Sequence, residues 1–216
     1  MPVPQTPLQK ARDFALKHPK AFNEELNIIA PDEYRGTRKL AKALLLKYPE
    51  RFKDATPDQL VDMVDKIGRV ESRMQNVAQR SYDPKKKKFF DGPGRGFFQI
   101  EVNSAPTYLK TYSNYKNNYL KDLNAVPLPD IKLPPNNDVR ALSKDEQASL
   151  VLSKISARAG KNVIDPVNAR DMWINYHWAG NEDQKAERIK HWDEVFAEKN
   201  ETKSVPQRKQ TLAQIR

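Results

Sequence analysis

The 216-residue chain contains no cysteine. Disulfides and thiolate metal sites are therefore excluded. Histidine is scarce as well. The three histidines, His18, His177 and His191, lack a metal-ligand spacing such as His-Glu-x-x-His. No metal and no other cofactor is expected. No run approaches the roughly eighteen apolar residues of a transmembrane helix, so no membrane span is expected. The opening residues MPVPQTPLQK have no basic-then-apolar signal pattern. Action outside the cytoplasm would then need another delivery route. Only seven glycines occur, and three fall between Gly92 and Gly96, marking a backbone with special demands there.

Charge is plentiful. Charged residues make up 31% of the chain and hydrophobic ones 38%, with a mean hydropathy of −0.84. A modest core under a heavily charged surface follows. The net charge of +10 implies an anionic partner: nucleic acid, cell-wall polymer or anionic lipid. The excess is scattered, with local blocks at Lys85-Lys86-Lys87-Lys88 and from Lys203 to Arg216. A solvated basic face would account for it equally well.

Residues 1–55 read as an N-terminal helical arm or subdomain, with helices at Pro7 to Lys17 and Thr37 to Lys47. Leu16-Lys17-His18-Pro19 with Phe22 recurs as Leu46-Lys47-Tyr48-Pro49 with Phe52, each copy ending a helix before proline. Thr56-Pro57-Asp58-Gln59 combines an N-cap, Pro at the first helical position and a capping-box Gln. It predicts a helix to about Gln79. Residues 80–100 read as a loop or short hairpin. Tyr108, Tyr112, Tyr115 and Tyr119 form a helical stripe suited to a core. Residues 124–138 read as a long surface loop. Ser143-Lys144-Asp145-Glu146 opens a helix that ends at Gly160. Further helices are predicted over Asn168 to Trp178 and Asp183 to Lys199. The domain reading is 1–55 as arm, 56–200 as main domain and 201–216 as a basic flexible tail.

Glu71 stands out. Leu60, Val64, Ile67, Glu71, Met74 and Ala78 share one helical face at 100° per residue. A carboxyl on an apolar stripe loses water, which favours its neutral form and raises its pKa. A general acid needs that near neutral pH. Asp91 and Glu101 flank the glycine-rich turn, where an ionised partner is at ease. Glycoside cleavage uses one protonated carboxyl and often a second, ionised one. Each residue also has a plainer role: Glu71 as a boundary residue reaching water, Asp91 as a turn cap, Tyr176 as packing between Trp173 and Trp178.

Glu71-Ser72, followed by Gly94-Arg95-Gly96-Phe97-Phe98-Gln99-Ile100-Glu101, resembles the signature of goose-type lysozymes and lytic transglycosylases. Tyr176-His177-Trp178-Ala179-Gly180 resembles their Tyr-Asn-Ala-Gly motif. The order of the motifs agrees over about residues 58–195. The chain departs from the pattern in a longer Glu71-to-Gln99 gap, in Phe97-Phe98 for Leu-Met, in His177 for Asn with Trp178 inserted, and in Glu at 101 for Asp. The resemblance implies a mainly α (α+β), lysozyme-like helical domain with a small β-hairpin lobe. It implies cleavage of the β-1,4 bond between N-acetylmuramic acid and N-acetylglucosamine in peptidoglycan, by a lytic transglycosylase or a lysozyme. Glu71 would be the acid, with Asp91 or Glu101 as the second carboxylate. Ser72, Gly96, Phe98, Gln99 and Tyr176 would be substrate-binding. A phage virion enzyme acting on the periplasmic wall during entry fits the absence of a signal, with release from host cytoplasm as the other route. Residues 1–55 would then contact other virion proteins, and nucleic acid would bind only non-specifically. The rival expectation is a non-catalytic virion protein on the same scaffold that binds cell wall or DNA. A protein whose chief partner is nucleic acid rests on charge alone and predicts salt-sensitive affinity.

Overall fold

The computed structural model describes residues 32–52, 55–119, 128–178 and 180–201. The fold is mainly helical with a small three-stranded antiparallel sheet. After a 3₁₀ turn come α1 (Arg35–Lys47) and α2 (Pro57–Ser72). The sheet follows as β1 (Val77–Asp83), β2 (Lys88–Gly96) and β3 (Ile100–Glu101). Helices α3 (Ala105–Asn114), α4 (Lys144–Ala159), α5 (Ala169–Met172) and α6 (Glu182–Glu201) complete the order. Both α3 and α5 continue as π-helical turns, Tyr115–Tyr119 and Trp173–His177.

Helices α1, α2 and α3 all pack on α4, which is buried nearly all round. Leu40, Leu44, Leu60, Met63, Ile67, Leu150, Leu152 and Ile155 are fully buried in one cluster. Each such side chain contributes about 1.5–3 kcal/mol by leaving water. The α1 helix, expected as part of an arm, thus belongs to the same core as the helices after residue 56. Asp145, in the first turn of α4, holds its start. Its carboxylate accepts from Gly36 N at 2.6 Å and Thr37 N at 2.7 Å, satisfying N–H groups that a helix start leaves open. The helix at Pro7 to Lys17, the first copy of the repeat and the tail from 202 lie outside the described residues. The second copy behaves as expected: α1 stops before Pro49, and Phe52 is fully buried.

The start of α2 follows its capping box. Gln59 N donates to Thr56 Oγ1 at 3.2 Å, and Thr56 N to Gln59 Oε1 at 2.8 Å. Its end corrects the expected run to Gln79: the helix stops at Ser72. Arg73 and Met74 take left-handed φ values of 54° and 62°. Met74 N returns to Gly68 O, and Ser72 Oγ accepts from Gln75 N at 3.1 Å, closing the last turn. Residues 77–83 then pair with 88–96 as a hairpin. The register shifts between Ala78 and Arg80, where the three residues Gly92 to Gly94 of β2 stand opposite Gln79 alone, so the irregularity lies in the glycine-rich strand. The lysine run makes the hairpin turn, and Asp83 Oδ1 accepts from Lys85 N and Lys86 N there. Of the tyrosine stripe, Tyr108, Tyr112 and Tyr115 are core, at most 7% exposed. Among the described residues, no helix is long and apolar enough to cross a membrane.

Candidate functional site

Glu71 sits in the last turn of α2, at the floor of a cleft of 320 Å³. Gln99, Glu101 and Tyr108 line the cleft from the sheet and α3, Trp173 and His177 from the π turn, and Arg188 from α6. The Glu71 side chain is only 17% exposed. Burial raises its pKa from 4.5 to about 7, against the opposing pull of a hydrogen bond from Trp173 and the charge of Arg188. Trp173 Nε1 donates to Glu71 Oε1 at 2.6 Å. That indole is itself 1% exposed and stacks on Trp192 at 5.4 Å. The carboxyl is thus both desolvated and held in one orientation.

His177 is the second buried titratable group. Its Nε2 lies 3.2 Å from Phe98 O and its Nδ1 3.4 Å from the Tyr108 hydroxyl. A carbonyl only accepts, so Nε2 carries the proton and Nδ1 accepts from Tyr108. Burial lowers the His177 pKa from 6.5 to about 4, opposed by the bond to Phe98 and aided by Arg158. Nε2 also lies 3.8 Å from Glu71 Oε1. Between pH 4 and 7 both groups are predominantly neutral, so this approach is not an ion pair. The π turn makes the arrangement. Trp178 N bonds to Trp173 O at 2.8 Å, and Arg158 caps the carbonyls of Tyr176 and His177. The widened turn brings both Trp173 and His177 against Glu71.

The glycine-rich segment itself does not line the cleft, but it sets the path of the chain into Gln99 and Glu101, which do. Gly96 has φ +77°, and a Cβ there would sit 2.1 Å from Gln147 Oε1. That oxygen accepts from Phe97 N at 2.9 Å, tying the turn to α4. Gln99 follows at φ 48°. Its Nε2 donates to Gly96 O at 2.8 Å, which fixes the amide orientation. Its Oε1 is buried and meets no donor among the described residues.

The expected site residues divide. Glu71, Gln99 and Glu101 meet in the cleft. Asp91 does not line it: Asp91 pairs with Arg80 on the exposed part of the hairpin. Phe98 is fully buried and packs over Gly68, so its ring is core and offers a substrate nothing. Ser72 works within the fold, its hydroxyl 2.7 Å from Phe97 O, clamping α2 to the glycine turn. Gly96 is needed for the backbone path. Tyr176 does not line the cleft either. Its hydroxyl accepts from Asn162 at 3.4 Å, and Trp173 and His177 occupy the place by Glu71 expected for it. Their i, i+4 spacing was the available signal.

A second cavity of 380 Å³ lies between α5 and α6, lined by Lys66, Arg170, Asp193 and Trp192 among others. Arg170 pairs with Asp193 at 3.3 Å there, and no buried titratable group faces it. Among the described residues, no three His, Asp or Glu side chains are grouped to hold a metal ion. Comparison with protein-family models, curated proteins and solved structures finds no match to this chain.

Proposed function

We propose that the chain cleaves the glycan strands of peptidoglycan at the β-1,4 bond after N-acetylmuramic acid, with Glu71 as the general acid. The observation that carries this reading is a carboxyl buried at a cleft floor, oriented by Trp173 and retaining its proton up to about pH 7. Such a group can protonate a glycosidic oxygen near neutral pH. Gln99 lines the cleft beside the acid, with its amide held in place by Gly96 O. Arg188 adds positive charge to the wall, in keeping with an acidic glycan. Glu101 is the cleft's other carboxylate and the candidate to guide water in a hydrolase. In a transglycosylase, Glu71 alone would next take the proton of the sugar's C6 hydroxyl as that oxygen closes a 1,6-anhydro ring.

Digestion of purified peptidoglycan by wild type and Glu71→Gln, with mass spectrometry of released muropeptides, tests the reading. Glu71→Gln is expected to lower release by about 10²–10⁴-fold, the range of general acid catalysis. The proton-donating form of Glu71 is lost as pH rises through about 7, so the wild-type rate should fall on that side. Anhydro ends identify a transglycosylase, and reducing ends a hydrolase dependent on Glu101. No release by wild type, where a control enzyme works, overturns the reading and favours a wall-binding scaffold.

A further inference from the structure

The far half of the β1–β2 hairpin breaks the usual rule for apolar side chains. Tyr82 is 52% exposed, Phe89 61% and Phe90 49%. The strand register sorts them by face. Ser81 and Phe90 pair on the face that Gln79 continues into the cleft, while Tyr82 and Phe89 pair on the outer face with Arg80 and Asp91. On that outer face the Tyr82 and Phe89 rings lie 5.1 Å apart, tilted by 55°. The Arg80 guanidinium sits over the Phe89 ring at 5.0 Å. The turn beyond adds Lys85, Lys86 and Lys87. Asp83 spends its carboxylate on the turn's N–H groups and, more loosely at 3.7 Å, on Lys86.

We infer that this outer face is a non-catalytic binding surface for a strand of carboxylate-bearing glycan. The inference rests on the substrate reading above for the identity of the polymer. Three observations favour that occupant. Cations outnumber carboxylates along the hairpin, so the surface is complementary to a polyanion. The lysines lie at the tip, ahead of the aromatics, so inserting the rings into a bilayer would carry the charges in first. The tilt between the rings prevents both from lying flat against consecutive stacked bases. Successive β-linked sugars are rotated relative to one another and present C–H faces that tilted rings can meet. The cleft cuts a strand, and the hairpin's outer face holds a neighbouring one.

The test is co-sedimentation of the full chain with insoluble peptidoglycan, in parallel with binding to a single-stranded oligonucleotide and to phosphatidylglycerol-containing vesicles. The variants are Tyr82→Ser with Phe89→Ser, and Lys85→Gln with Lys86→Gln and Lys87→Gln, each checked to be fully folded at the assay temperature. Each is expected to weaken sedimentation by about tenfold, the effect of losing one moderate contact cluster. Cleavage of short soluble fragments that fill only the cleft should stay at the wild-type level. Wild-type sedimentation in both variants overturns the inference. So does a loss confined to oligonucleotide or vesicle binding. A chain that sediments through the hairpin but releases no muropeptides overturns the catalytic reading and leaves this one standing. A chain that cleaves while both variants sediment normally does the reverse.

Discussion

The cleft floor and the hairpin tip violate opposite rules. At the floor, a carboxyl and an imidazole are buried where charge is unwelcome, and both are neutralised by the burial. At the tip, three aromatic rings stand in water beside a row of lysines. The floor is built to hold groups still: Trp173, Tyr108 and the Phe98 carbonyl each fix one of the two side chains. The tip is braced mainly by its own strand pairing and an Asp83 turn. A fold tolerates both exceptions only where stability is not the sole demand, and the two differ in what can be removed.

Phenylalanine tests the contrast most strongly. Phe98 is 0% exposed, and its ring presses on the bare backbone of Gly68 in the middle of α2. Phe98→Ala should open a cavity against α2 at Gly68 and cost about 3–5 kcal/mol. Urea denaturation would show it as a lower midpoint with an unchanged slope. A loss below about 1 kcal/mol would mean that the glycine turn is not docked on α2 as described.

The floor itself sets two opposed pH dependences. Glu71 binds its proton more tightly folded than unfolded, so its contribution is full below about pH 4.5 and lost as pH rises through about 7. His177 does the opposite: its contribution is full above 6.5 and lost as pH falls through about 4. Each displacement corresponds to about 3 kcal/mol, so in wild type they largely cancel between pH 4 and 7. Single substitutions should uncover them. Glu71→Gln should lose stability on acidification across that window, while His177→Gln should gain it. Melting temperatures at pH 4.5, 5.5 and 7 would give slopes of opposite sign. Parallel slopes would show that the two groups are not both desolvated.

Much of this was legible in the residues. The capping boxes at Thr56 and Ser143 set the starts of α2 and α4, and the apolar stripe isolated Glu71. The end of α2 was not, because Arg73 and Met74 enter left-handed backbone without the glycine that usually marks it. Met74 and Ala78 kept the helical period beyond the true end. The partners of Glu71 were not legible in the motif around Tyr176, because the π turn shifts the phase and directs Trp173 and His177 inward. Asp91 illustrates a deeper limit. Nearness in sequence to a glycine turn does not say where on a hairpin a residue lies, since the extra residues between Asp91 and Arg95 reset the register there.

Phe89→Ala is the small counterpart to Phe98→Ala. The ring touches Tyr82 across the strands and lies under Arg80, but 61% of the residue already faces solvent. Cross-strand aromatic pairs contribute about 0.2–1 kcal/mol, and little desolvation is at stake. The urea midpoint should therefore move by less than about a third of the Phe98→Ala shift. Amide exchange should quicken at the paired hairpin residues and stay unchanged in α2 and α4, because the tip can open without disturbing the core. A global loss as large as that from Phe98→Ala would mean that the hairpin's outer face is covered, and the division between a rigid floor and a free binding tip would fail.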